Sequence, residues 1–215
     1  VDVKTYGTFN MKGGTIKNCK ATYSAGGVNN HGTFNMTGGT IDNCSAKLAG
    51  GGVCHESTSV DAASFIMTGG TIKNCSAENG GGVATHQNDK DLTFTMTGGA
   101  IDNCSAKIFG GGMFIENNGD CTLEGGTINT CSADYGGGVC VQHGAFIMKS
   151  GTIENCFART SVGSYGYGGG VNIYYGNFTM TGGTVKDCTS TYSENNALCL
   201  FSNATMIADG GSIKG

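Results

Sequence analysis

Basic charge, proline and long apolar runs are what this chain lacks. Twelve Lys and Arg against sixteen Asp and Glu leave a net charge of −4. That balance excludes the basic footprint of a nucleic-acid groove. No stretch approaches the roughly 18 consecutive apolar residues of a membrane-crossing helix, so none is expected. A basic start followed by an apolar stretch is also missing, so no signal peptide is expected here. Val1 already stands inside a repeat, and the chain reads as one domain, residues 1–215, forming a segment of a larger surface protein. Glycine supplies 40 of 215 residues and proline none, yet no strict Gly-x-y period exists, which excludes collagen. Low-complexity disorder is excluded by the regularity of the apolar positions.

What the chain has is self-similarity. Gly13-Gly14-Thr15-Ile16-Lys17-Asn18-Cys19 returns at 38–44, 69–75, 98–104, 125–131, 150–156 and 182–188, with a last trace at 210–213. The full unit is Phe-x-Met-x-Gly-Gly-Thr-Ile-x-Asn-Cys-x-Ala, a variable loop, Gly-Gly-Gly-Val-x-Val, and a second variable loop. Repetition at this spacing marks a solenoid, whose units share one core that none could build alone. Within each unit apolar and polar residues alternate with period 2, the signature of strands, and the glycine runs break helices and suit corners. The fold expected is all-β: a right-handed single-stranded parallel β-helix (β-solenoid). It has three short strands per coil and about seven full coils plus a partial C-terminal coil. Coils stacked about 4.8 Å apart span roughly 35 Å.

Charge supports stacking in register. The position after Ile runs Lys17, Asp42, Lys73, Asp102, Asn129, Glu154, Lys186, and that after Ala runs Thr22, Lys47, Glu78, Lys107, Asp134, Arg159, Thr191. Alternating signs are favourable only if each residue lies beside its counterpart in the next coil. These charges therefore read as ladder partners and not as catalytic groups. Cys19, Cys44, Cys75, Cys104, Cys131, Cys156 and Cys188 share one inward column. Side-by-side Cβ vectors favour stacked thiols over disulfides, and a straight column does not converge on a metal; some bridges or a metal site are the alternatives. Unpaired thiols fit a reducing or anaerobic setting. Cys54, Cys140 and Cys199 form a second column that alternation sends outward. Asn18, Asn43, Asn74, Asn103 and Asn155, with Thr130 and Asp187 substituting, form a corner column able to hydrogen-bond from coil to coil; a ligand groove lined by Asn is the alternative.

The Ile-x-Asn-Cys-x-Ala and Gly-Gly-Gly-Val blocks resemble the repeat of the chlamydial polymorphic membrane proteins, which pairs Phe-x-x-Asn with Gly-Gly-Ala-(Ile/Leu/Val). Ile16 to Cys19 has the spacing of the first motif, with Ile for Phe and Cys for Asn, and Gly50-Gly51-Gly52-Val53 resembles the second. The chain is also similar to the pectate-lyase-like, adhesin-type β-helix repeats of microbial surface proteins. The resemblance covers essentially the whole chain and implies an adhesin-like domain, extracellular or at the cell surface, without naming a ligand.

Function is expected in the loops, because the faces of a solenoid are scaffold. The first loop series carries Tyr23, Phe109, Tyr135, Tyr165, Tyr167 and Tyr192, which either form binding platforms for sugars or proteins or cover the apolar edge of the corner. The second carries His31, His55, His86 and His143, with Glu56, Asp61, Asp89, Asp91, Glu116 and Asp120. These read as solvated loop residues, because the histidines fall at different offsets and show no metal-ligand spacing; a cation or acid–base site is the alternative. No cofactor or metal is expected. A non-catalytic adhesin-like or stalk domain that displays loops to a glycan or protein is the leading expectation. A polysaccharide lyase or hydrolase, or a carbohydrate-binding module, is the alternative. An ice-binding solenoid is a minor one, since Lys12, Glu124 and Lys149 interrupt the column of Thr37, Thr68, Thr97 and Thr181.

Overall fold

A computed structural model describes residues 1–57, 62–86, 92–117, 119–159, 166–191, 197–201 and 203–214. All regular structure among them is strand, and no described helix is long and apolar enough to cross a membrane. The chain coils into a parallel β-solenoid of about seven turns. Seven short Ser–Ala-type strands stack into one sheet, and the remaining strands form a second, larger sheet. The Gly-Gly pair shapes the first strand of each coil. Phe-x-Met and Thr-Ile run as one piece at Thr8–Lys17 and Thr33–Asp42, but separate into Ala63–Met67 and Thr71–Lys73 in the next coil.

Register is what the repeat requires. Phe34 lies beside Phe65, Phe65 beside Phe94, Phe94 beside Cys121, and Cys121 beside Phe146. Ile16, Ile41, Ile72, Ile101, Ile128 and Ile153 form an unbroken column that Val185 and Ile213 continue. The Phe rings stack face to face, with centroids 5.1, 4.7 and 4.5 Å apart from Phe9 to Phe94. Cys121 breaks that stack, which resumes between Phe146 and Phe178 at 5.4 Å. These columns, with Met, Val and Cys, fill a single core.

Two glycine positions have a steric cause. The second Gly of each pair holds a positive φ, 78° to 85° from Gly14 to Gly211, which other residues adopt at a cost. The third Gly of each triple faces the next coil: a Cβ on Gly82 would lie 2.6 Å from both the Gly112 carbonyl oxygen and Ile101 Cγ2. Glycine there lets the Ile and Cys columns close over the backbone.

The Asn column has a second cause that the repeat does not reveal. Asn18, Asn43, Asn74, Asn103, Thr130, Asn155 and Asp187 all adopt left-handed φ, between 48° and 57°. Asn is among the residues that accept this conformation most readily. The amides then form the expected ladder, but it zigzags between two columns. Asn43 Nδ2 donates to Asn18 Oδ1 at 2.8 Å, Asn74 Nδ2 to Asp42 Oδ1 at 2.7 Å, and Asn103 Nδ2 to Asn74 Oδ1 at 2.8 Å. Asn129 Nδ2 donates to Asp102 Oδ1 and Asn155 Nδ2 to Asn129 Oδ1.

All eleven cysteines are free thiols, and all but Cys19 are buried. Each column thiol donates to the carbonyl two residues before it, as Cys75 does to Lys73 at 3.1 Å and Cys104 to Asp102 at 3.3 Å. Cysteine therefore fills core space and also gives a second donor to a corner carbonyl that already accepts a backbone amide from the preceding coil, as the Lys73 carbonyl does from Asn43. Burial raises the thiol pKa of Cys44 and Cys131.

The charge columns stack as expected, although few pairs close. In the first column Lys186 Nζ lies 2.9 Å from Glu154 and Lys73 Nζ 4.0 Å from Asp42. In the second, Arg159 Nε lies 3.4 Å from Asp134, and the Arg159 guanidinium also donates to the Ala106 carbonyl. A one-residue register shift after Ala77 displaces that column between Glu78 and Lys107. In the Thr column, Lys149 pairs with Glu124 at 2.9 Å.

Candidate functional site

Three of the six loop aromatics come together. Phe109, Tyr135 and Tyr167 each stand immediately before a triple glycine, and they pair across coils by isolated parallel bridges. Their rings lie 5.3 and 6.0 Å apart. Phe109 also stacks on Phe114 at 5.4 Å, and Tyr167 meets Phe201 edge-on at 4.9 Å. Phe201 continues to Tyr174 at 4.9 Å, and Tyr174 to Tyr175 at 4.9 Å. Aromatic rings thus form a continuous belt across the later coils, and Phe114, Phe201, Tyr174 and Tyr175 are members the repeat did not single out. Tyr23 stays apart, 73% exposed, because Ser24 and not Tyr23 occupies the stacking column. Tyr165 and Tyr192 lie outside the described residues.

The belt corrects the reading of the second cysteine column. Cys54, Cys140 and Cys199 do point away from the main core, but they are not on the surface: all three are buried. The first loop folds over the outer face of the Val strands and seals a small second core there, with Ala84 and Phe114 in the same column. Burial pushes the Cys140 thiol up to about 12. Burial also raises Cys54, reinforced by Glu56, whose Oε1 accepts its proton at 3.0 Å.

In the early coils the same loop column carries Ser24, Ala49 and Asn79 in place of rings. Their smaller side chains leave a cleft of about 310 Å³, with Ala84 and Phe114 in its floor and Glu56, His86 and Glu116 along one wall. His86 Nδ1 lies 2.9 Å from Glu116 Oε2, and His31 Nδ1 lies 3.9 Å from Glu56 Oε2. Register puts His31, Glu56, His86 and Glu116 in one column of alternating type. The reading of unrelated, solvated loop residues is corrected to this extent for these four: they form another facing ladder, partly buried. Among the described residues no three His, Cys, Asp or Glu side chains are grouped to hold a metal ion. Asp61, Asp89 and Asp91 lie outside the described residues.

His55 overturns the loop reading altogether. The alternation that sends Cys54 outward sends His55 inward, where it is 0% exposed between Asn30 and Thr85, also 0% exposed. His55 Nε2 donates to the Thr93 carbonyl at 3.0 Å, which leaves Nδ1 to accept from Asn30 Nδ2 at 2.9 Å. Asn30 Nδ2 also donates to the Ser64 carbonyl, and its Oδ1 accepts from the Gly32 amide. Burial lowers the His55 pKa to about 4, so the ring is neutral at pH 7. His143 alone of the four histidines is openly exposed.

Compared with family models, curated proteins and solved structures, the chain matches none.

Proposed function

We propose that this solenoid is a non-catalytic, adhesin-like or stalk domain of a surface protein, which presents its loop edges to a glycan or protein ligand. The observation that carries the reading is the aromatic belt from Phe109 through Tyr135 and Tyr167 to Tyr174. Stacked rings on a rigid frame offer large contact area with little entropy to lose on binding. Each of the later coils repeats the presentation a few ångströms further along, so weak contacts add through multivalency. A scaffold role is also favoured by the placement of ionisable side chains: Lys73, Glu154, Lys186, Asp134 and Arg159 are engaged in ladder pairs and not gathered into a reactive cluster. Likeness to the chlamydial repeat and to pectate-lyase-like adhesive domains belongs to this proposal and rests on the motifs alone.

A glycan array and a mucin pull-down test it. Capture by either surface is expected, and combined Tyr135→Ala and Tyr167→Ala substitution should lower it about tenfold, given roughly 0.5–1.5 kcal/mol per aromatic contact. Capture unchanged by the double substitution would remove the belt from the interface. Release of reducing sugar from a polysaccharide, with or without calcium, would replace the proposal with an enzyme.

A further inference from the structure

The cleft of the early coils is a groove along the solenoid axis, and register builds its walls. Glu56, His86 and Glu116 stand in one column on successive coils. Ala49 and Asn79 pair across coils on the loop side. Ala84 and Phe114 form the floor between them, and Leu48, 40% exposed, stands on the rim. The groove ends where the belt begins: in the coil of Glu116 the loop column holds Phe109, whose ring stacks on Phe114 at 5.4 Å. Coils lie about 4.8 Å apart, so Glu56 and Glu116 bracket about 10 Å of groove. Both carboxylates have partners. Glu56 Oε1 accepts the Cys54 thiol proton at 3.0 Å, and its Oε2 lies 3.9 Å from His31 Nδ1. Glu116 Oε2 accepts from His86 Nδ1 at 2.9 Å; a carboxylate only accepts, so this nitrogen carries the proton. A carboxylate offers about four acceptor sites, so each has room for further donors. Neither pairs with a Lys or Arg among the described residues. On the loop side Asn79 Oδ1 is a third acceptor, buried and without a hydrogen-bond partner.

We propose that this groove binds an aliphatic diammonium ion, one ammonium at Glu56 and the other at Glu116, with the methylene stem lying over Ala84 and Phe114. The walls present acceptors, and the thiol and imidazole donors beside the two carboxylates already point at them. An ammonium group is the complement: three donors, no acceptor and the opposite charge. A single metal ion is not, because it needs several oxygens at about 2–2.6 Å and these two carboxylates stand about 10 Å apart. The apolar floor between the charges suits methylenes and not a second polar group. Length follows from the register. An extended chain gains about 1.2 Å per bond, so a six-carbon diammonium measures about 8–9 Å between nitrogens and can reach both carboxylates. A three-carbon one reaches only one.

The experiment is calorimetric titration of the whole chain at low salt and pH 8, where an ordinary imidazole carries no charge. The probes are the α,ω-diamines of six and three carbons, hexylamine, and the six-carbon α,ω-diol. Saturable binding of the six-carbon diamine is expected, with hexylamine and the three-carbon diamine each about tenfold weaker or more and the diol not bound. Glu56→Gln and Glu116→Gln should each weaken the six-carbon diamine about tenfold and remove most of its advantage over hexylamine. Asn79→Phe sets a ring beside Phe109, roofs the groove as the later coils do, and should abolish binding without lowering the melting temperature. Should a Gln variant melt below the wild type, Asn79→Phe and the ligand series decide. No saturable binding of the six-carbon diamine, equal binding of hexylamine or the diol, or six-carbon binding unchanged in both Gln variants or in Asn79→Phe would overturn the proposal. The groove and the belt are separate places, so each of these outcomes leaves the adhesive reading standing.

Discussion

Asn74 has two functions that a sequence repeat cannot separate: it bonds to neighbouring coils, and it tolerates φ 54°. The two separate experimentally. Asn74→Ala should destabilise by about 1–2 kcal/mol from the left-handed backbone alone, with the lost amide bonds in addition. Asn74→Gly loses the same bonds but keeps the backbone relaxed, so urea unfolding should rank wild type above Gly and Gly above Ala. Equal losses for Gly and Ala would show that φ does not matter at this corner. His55 permits a pH prediction. Its folded pKa is about 4, below the 6.5 of an unperturbed histidine. The unfolded chain therefore binds the proton first. This contribution to stability is complete above pH 6.5 and falls as the pH drops toward 4, by roughly 3 kcal/mol in all. Urea midpoints at pH 7 and pH 4.5 should diverge in the wild type and diverge less in His55→Asn. A histidine hidden in a Val-x-Val position escapes a motif reading, because the column looks apolar in the later coils, where Ile115, Val141 and Ile173 occupy it.

At the scale of the strand and its corner, glycine decides how closely coils approach. Gly82→Ala should cost about 3 kcal/mol in chemical denaturation, since its Cβ would press on a backbone oxygen and on Ile101, neither of which can swing away. Gly13→Ala is the control: its Cβ would meet nothing within 4 Å, and the change should stay within about 0.5 kcal/mol. The same element explains the candidate site. Position identity in the column before the triple glycine sets whether the outer face is open or roofed: Ser24, Ala49 and Asn79 leave the cleft, while Phe109, Tyr135 and Tyr167 build the belt. All six residues are visible in the sequence. Their common register becomes visible only when the loop is aligned backward from the glycines, since its length varies between coils. The chain alone did not show that this loop folds back over Cys54 and Cys140, because period 2 reports which face a side chain points to and not what covers it.

For the whole molecule, strand pairing joins each coil to its immediate neighbours, so stability should be distributed along the axis. Hydrogen exchange should protect the amides of Ala63–Met67 and Leu92–Met96, which pair on both sides, more than those of Asp2–Val3 and Ser212–Ile213, which pair on one. Uniform protection from end to end would mean that the solenoid opens as one cooperative unit. The sequence by itself determined the parallel stacking, the Phe, Met, Ile and Cys columns and the facing charges, because a repeat with period-2 alternation carries the register: one copy predicts the neighbours of the next. Tertiary structure alone decided the second core under the loops, the inward turn of His55 and the His–Glu column. Each of these depends on a departure from the repeat, or on a loop lying across another coil, and at such places the energy is set by what a residue meets in space and not by its place in the motif.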